Sequence, residues 1–219
     1  KRINNVSVNL DRLALEHGDH GDFIYAVTTN FDTDGEKAQE EAIVSKDADH
    51  SPVKKLNANG DEILKRNGFF DCGGEVIVKR SSLTNNIYGV SKISDVAIGP
   101  EGTFTLLDKK RSRLFTNDSN GQLLFAFGDF SELYQNGALN QGKALAMDYQ
   151  KVTAEDGTVT YNLLVMDVET RTITVFTRTD YGDLLIQALA HENARDYEAS
   201  AQDWRDIIGA NNNFDAAYV

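Results

Sequence analysis

Residues 93–128 read ISDVAIGPEGTFTLLDKKRSRLFTNDSNGQLLFAFG, and this stretch restricts the possible folds more than any other part of the chain. Apolar runs of five or six residues, rich in β-branched and aromatic side chains, predict strands at Ile93–Ile98, 103–108, Arg113–Asn117 and 122–127. The connections are Gly99-Pro100-Glu101-Gly102, the charged run Lys109-Lys110-Arg111-Ser112, and Asp118-Ser119-Asn120-Gly121. Gly and Asn accept positive φ and Pro presets the first corner of a turn, so the first and last connections are strong turn sequences. Three hairpins in succession make a four-stranded antiparallel meander. Its last strand, Leu123-Leu124-Phe125-Ala126-Phe127, is apolar on both faces. A sheet of that kind needs cover from both sides.

The same order of runs recurs on either side. Upstream, residues 10–29 (LDRLALEHGDHGDFIYAVTT) align with the first two strands, and residues 53–70 (VKKLNANGDEILKRNGFF) with the last two. Downstream, residues 143–149, 163–167 and 171–177 match the first, second and third strands. The turns Asn59-Gly60 and Asn120-Gly121 lie 61 residues apart, a spacing lengthened by an acidic tract at 32–49 and a Gly/Ser/Asn-rich connection at 72–89. The third unit carries an insertion at 150–161 where the second has a four-residue turn.

Units of this build (a strand containing Asp-Val-Ala, a turn, a strand ending in Asp, a Lys/Arg-rich loop, a strand reading Arg-Leu-Phe, then Asp-x-x-Gly and an apolar strand) resemble NHL repeats, the blades of a class of β-propellers. The likeness spans about residues 1–177 and is closest in the second unit; the first has Thr28 where the second has Asp108. It implies about three NHL-like blades over residues 1–179, a partial propeller of antiparallel four-stranded sheets in which each blade is covered by its neighbours. From Asp183 onward the apolar spacing becomes helical and glycine nearly disappears. Leu184, Ala188, His191, Tyr197, Ser200, Trp204, Ile207 and Asn212 stand at the spacing of a 34-residue tetratricopeptide repeat, with His191, Ser200 and Ile207 replacing its usual aromatic, alanine and alanine. Residues 180–219 are therefore expected to form a TPR-like helical hairpin turning at Arg195-Asp196, stopped by Asn211-Asn212-Asn213, with residues 215–218 opening a further repeat. The expected fold class is mainly β with an α-helical C-terminus. This order of parts resembles a family of uncharacterised bacterial extracytoplasmic proteins, which implies an extracytoplasmic or membrane-associated location and leaves a cytoplasmic one open.

Composition narrows the function. With 34 acidic and 22 basic side chains the net charge is −12, which argues against nucleic acid, because such binding rests on neutralising phosphates. No apolar run is long enough to span a bilayer as a helix. Cys72 is the single thiol, so no internal disulfide forms. The opening Lys1-Arg2-Ile3 lacks an initiating Met, so the chain is expected to be part of a longer protein. Three blades fall short of the roughly four to eight that close a propeller. Either further blades precede them or a second copy pairs with the chain.

Several residues carry candidate chemistry. His17-Gly18-Asp19-His20 offers imidazoles and a carboxylate suited to zinc or nickel, but one short turn seldom supplies a closed site, and a solvated turn is the reading adopted. Asp32-Thr33-Asp34-Gly35-Glu36 has hard oxygen donors at alternate positions yet lacks the third donor and terminal Glu of a calcium loop. The cations of residues 109–113 could meet a phosphate or an acidic partner, and are read as keeping a hairpin edge soluble. Asp95, Asp108 and Asp167 sit at repeated strand positions. In lactonase-like propellers such carboxylates converge on a metal, whereas a strand-end Asp more simply ties its own turn. Tyr197 and Trp204 could line a peptide groove or pack between helices; Tyr88, Phe130, Tyr134 and Tyr149 are the aromatics available to stack on a sugar. G-x-S-x-G, Walker and G-x-G-x-x-G patterns are absent, and Cys72 has no neighbouring His. The expected function is a non-catalytic binding or scaffold module for a protein or surface-polymer partner, with no catalytic residue, cofactor or metal, and self-association through an exposed blade edge. The alternative is a metal-dependent propeller enzyme of lactonase or lyase type.

Overall fold

Strands form where β-branched and aromatic runs lie between turn formers. The computed structural model describes residues 10, 12–18, 21–27, 51–65, 91–130, 138–139, 144–168 and 170–214. The first sheet holds β1 (Arg12–Gly18), β2 (Gly21–Val27) and β3 (Val53–Leu56). The second holds β4 (Ile93–Ile98), β5 (Phe104–Asp108), β6 (Arg113–Asn117) and β7 (Leu123–Phe127). A short parallel pair, β8 (Asp129–Phe130) and β9 (Ala138–Leu139), precedes the third sheet of β10 (Ala144–Thr153), β11 (Val159–Asp167) and β12 (Thr172–Phe176). Two helices follow, α1 (Asp180–Asn193) and α2 (Tyr197–Ala210). Strands are adjacent in chain order within each of the three larger sheets, and all their pairs are antiparallel. The expected mainly β fold with an α-helical C-terminus is thus observed. Among the described residues the second sheet packs against the first and against the third, and the three sheets do not close a ring.

The second and third sheets share local geometry. In one, a β-bulge separates the pairs Ile93–Asp108 and Asp95–Leu107; in the other it separates Ala144–Asp167 and Ala146–Met166. The strand-end aspartates then cap matching turns. Asp108 Oδ1 accepts the backbone N–H of Lys110 at 2.9 Å and of Arg111 at 3.4 Å, and Asp167 Oδ1 accepts that of Thr170 at 3.1 Å. Each turn ends in a left-handed residue, Ser112 at φ 53° and Arg171 at φ 57°, a conformation that L-residues hold only with local support. A second turn type recurs in the first and second sheets. Asn57 Oδ1 accepts N–H groups of Asn59 (2.8 Å) and Asp61 (2.9 Å), while Asp118 Oδ1 accepts those of Asn120 (2.9 Å) and Gln122 (2.8 Å). Gly60 and Gly121 occupy the same corner at φ 86° and 91°, where a Cβ would be strained.

Both faces of the second sheet are covered. Val96, Phe104, Leu106 and Phe115 pack against Tyr25, Val27 and Val53 of the first sheet, with the Tyr25 and Phe104 ring centroids 4.8 Å apart. Ala97, Leu107 and Leu114 pack against Ala144, Met147, Leu163 and Val165 of the third. The leading strands β1 and β10 both lie against β4. Lys55 Nζ adds a tie between the first two sheets by donating to the Ser119 carbonyl at 2.7 Å, and it sits 4.3 Å from the centre of the Phe23 ring.

The helices turn back onto the second sheet. Leu124 of β7 joins Leu185, Ala188 and Leu189 of α1, Ile207 of α2 and Phe214 in one core. Asn193 Nδ2 reaches Glu101 Oε2 at 3.0 Å. Both helix starts are capped, by Thr179 Oγ1 on the Gly182 N–H (3.3 Å) and by Asp196 Oδ1 on the Ala199 N–H (3.2 Å). Asp203 clips the pair together, holding Gln187 Nε2 at 2.9 Å and His191 Nδ1 at 2.6 Å.

Two departures from the sequence reading are structural. Among the described residues the first and third sheets have three strands each, where four per blade were expected. Residues 150–161, expected as an insertion, instead lengthen a hairpin: Gln150 pairs with Asn162, Lys151 with Tyr161, Val152 with Thr160 and Thr153 with Val159. The chain reverses at Ala154–Gly157, where the Gly157 N–H donates to the Ala154 carbonyl at 3.0 Å. The acidic tract at 32–49, the connection at 72–89, Asp19 and His20, and residues 215–218 lie outside the described residues.

Candidate functional site

The three repeated-position aspartates are each engaged by the fold. Asp95 Oδ1 accepts the Val96 N–H at 3.0 Å and Oδ2 the Met147 N–H at 2.8 Å, so its carboxylate joins β4 to β10. Asp108, fully buried, also takes the Lys92 N–H at 3.0 Å and Arg111 Nη1 at 3.1 Å. Asp108 and Asp167 tie their own turns, whereas Asp95 ties two sheets. Among the described residues no group of three or more His, Cys, Asp or Glu side chains is placed to hold a metal ion.

The remaining candidates separate. The basic run is not a continuous cationic surface, because Arg111 is 7% exposed and paired with Asp108. The exposed His17 side chain pairs with Asp22, across the β1–β2 ladder. Trp204 stacks on Phe214 with centroids 6.4 Å apart and belongs to the helical core, while Tyr197 is exposed. Tyr149 is partly buried, its hydroxyl 2.7 Å from Thr105 Oγ1; Tyr88, Tyr134 and the Phe130 side chain lie outside the described residues.

Burial raises the Asp95 carboxyl above its ordinary range, against the opposing pull of the Met147 and Val96 N–H groups and the Arg12 charge. Burial does the same to Asp118, opposed by the N–H groups of Gln122, Asn120 and Gly121. A raised carboxyl favours the fold while protonated, and that contribution is lost as pH rises through the folded-state value. Stability is therefore expected to rise as pH falls from neutrality toward about pH 4, in the same sense as relief of the repulsion within a chain of charge −12. Urea midpoints measured across that range check this, and Asp95→Asn should flatten the slope; an unchanged slope in the variant contradicts the assignment to Asp95.

Two features could engage a partner. The first is the pair of end faces of the stack. In the third sheet Leu164, Met166, Ile173 and Val175 share the face turned away from the second sheet, since Met166 pairs with Ile173 and Leu164 with Val175. Ile173 is 61% and Val175 54% exposed. At the other end Leu13 and Leu15, both 65% exposed, alternate with Ala14 and Glu16 along β1 and pair with Ala26 and Ile24.

The second feature is a cavity of about 430 Å³ between β7, the third sheet and the start of α1. Its walls include the rings of Phe125, Phe127, Tyr149, Tyr161, Phe176 and Tyr181, and among the described residues Arg178 is the one charged residue lining it. Arg178 Nε is held by Asp183 Oδ1 at 2.7 Å, whereas Nη1, shut off from solvent, has no hydrogen-bond partner among the described residues. The Tyr181 hydroxyl is likewise buried and unpartnered. Burial pushes the Tyr149 hydroxyl up, with the Thr105 and Thr116 hydroxyls and the nearby Arg178 charge pulling it down. No sequence pattern marked this site, because its residues come from five strands, three connections and a helix. No protein family matches the chain, and no curated protein sequence does.

Proposed function

We propose that the chain is a non-catalytic binding module, three NHL-like propeller blades carrying a TPR-like helical pair, and that it works by stacking its end faces on other sheets. The observation that carries this is the apolar, uncovered outer face of the third sheet at Ile173 and Val175. The two interior interfaces are built from the same kinds of residue, Val, Leu, Ile and aromatic, meeting face to face. Contiguous exposed apolar surface of this sort marks an interaction site. The blade reading draws support from the shared bulge, the shared Asp-capped turn and the leading strands gathered on β4. An extracytoplasmic location rests on the family resemblance.

The partner we infer is first of all a second copy. The two end faces belong to different sheets, so copies join head to tail, a heterologous contact that closes when its rotation permits. Two copies bring six sheets, within the roughly four to eight of propellers. The purified chain of 24.2 kDa is expected to show twice that mass in size-exclusion chromatography with light scattering. Ile173→Lys with Val175→Lys should give a folded monomer with unchanged circular dichroism. A wild-type monomer at concentrations up to about 100 μM contradicts the reading, since interfaces of ordinary size hold well below that.

A further inference from the structure

We propose that β12 is a docking edge for an extended peptide segment of a partner protein, which joins the third sheet as its fourth strand and sets one large apolar side chain into the cavity beside Phe176. β12 is the last strand of its sheet, in the order β10-β11-β12. Its five residues, Thr172-Ile173-Thr174-Val175-Phe176, are β-branched or aromatic and pair with β11 without a bulge. Among the described residues no backbone group of β12 is hydrogen-bonded outside that ladder, so one row of N–H and C=O groups lies open along the strand. Edge strands are commonly blunted by charged side chains, Pro or bulges. β12 carries none of these. α1 leaves it for the second sheet, where it packs on Leu124 of β7.

The second sheet shows what a fourth strand does at this position. β10, β11 and β12 correspond to β4, β5 and β6, because the two sheets share a bulge at the same place and an Asp-capped turn before the third strand. Asp167 pairs with Thr172 as Asp108 pairs with Arg113, so Phe176 corresponds to Asn117. In the second sheet β7 runs antiparallel beside β6, and Leu123, opposite Asn117, packs on the core shared with the first sheet. The corresponding place opposite Phe176 holds no described strand. Cross-strand neighbours share one face of a sheet, and Phe176 packs toward the second sheet. A residue opposite Phe176 on an added strand therefore points into the cavity, which Phe176 and Leu163 line from the third sheet and Phe125 and Phe127 from β7. Its volume of about 430 Å³ accommodates a large side chain, and its ring-lined walls favour an apolar one. Main-chain pairing then supplies affinity and the cavity supplies selectivity, the division of labour of strand addition at a sheet edge.

The test uses the full chain and a fluorescein-labelled peptide of the β7 sequence, residues 122–128, with added lysines for solubility. Fluorescence anisotropy should give a Kd below about 100 μM. Serine in place of the peptide's leucine at position 123 should weaken binding at least about tenfold. Further peptides carry backbone N-methyl groups at alternate residues, one at the odd positions and one at the even. A strand added to a single edge uses only one set of N–H groups, so one of these peptides should bind at least about tenfold more weakly while the other binds like the parent. Amide exchange followed by NMR should slow at least about tenfold at alternate residues of β12, with peptide at about ten times its Kd. Absence of binding, N-methylated peptides that bind alike, or protection that rises elsewhere but not in β12 overturns the proposal. So do β12 amides protected at every residue before peptide is added, which would place a strand of a second copy on that edge. A serine peptide that binds as well as the parent overturns the part assigned to the cavity. The stacking faces take no part in the ladder, so a chain that runs as a monomer or as a dimer gives the same peptide results, and failure of stacking is read separately from failure of strand addition.

Discussion

Asp108→Ala is expected to destabilise the protein by about 3–5 kcal/mol, the cost of stripping the partner from a buried charge. Asp108 has no exposed surface and takes four donors: the backbone N–H groups of Lys92, Lys110 and Arg111, and Arg111 Nη1. Removing it takes the Asp108 carboxylate away from the Arg111 guanidinium, which is only 7% exposed. It also releases the turn that holds Ser112 at φ 53°. Asp108→Asn retains an acceptor for part of this set and should cost less, because the charge loss is shared with an intact turn. Chemical denaturation of the two variants checks the order. A loss below about 1 kcal/mol for Asp108→Ala would show that the pair is dispensable.

Phe104→Ala should cost a similar amount, about 3–5 kcal/mol, through loss of buried ring and the cavity left behind. Phe104 is fully buried on the face of the second sheet that meets the first, beside Tyr25. Since the second sheet shares one core with the first sheet and another with the third, the loss is expected to lower the whole unfolding transition together. Far-ultraviolet circular dichroism and tryptophan fluorescence, the latter reporting Trp204 in the helical core, should move to the same lower midpoint. Two separated transitions would mean that the sheets and helices unfold independently.

The second sheet was legible residue by residue, because its strands are short, apolar and bounded by Gly, Asn and Asp. Strands at Ile93–Ile98 and Arg113–Asn117 appear with those bounds, and the other two begin one residue later than expected. The demand for cover on both faces also held, although the sequence left open that α1 and α2 would cover β7 as well. Helical periodicity tells which face of a helix is apolar, not which surface it meets. The lengthened β10–β11 hairpin was missed for a different reason. Alignment to the shorter turn of the second unit made residues 150–161 look inserted, while Val152, Thr153, Val159 and Tyr161 around a Gly157 turn already favoured strand.

The candidate sites were less legible. Asp108 and Asp167 follow from turn chemistry, but the Asp95 bond to Met147 spans 52 residues and two sheets. The Arg178 cavity depends on packing that no local pattern encodes, since Arg178 lies in a linker with ordinary composition between β12 and α1.

The head-to-tail stacking of two copies is tested most directly by cross-linking. Ile173→Cys and Leu13→Cys, each in a Cys72→Ser chain, place one thiol on each end face. Mixed under mild oxidation, the two variants should give a dimer joining unlike chains, while either alone stays uncrosslinked, as a heterologous contact requires. A mixture that yields no such dimer, or variants that each crosslink to themselves as readily, would contradict the account.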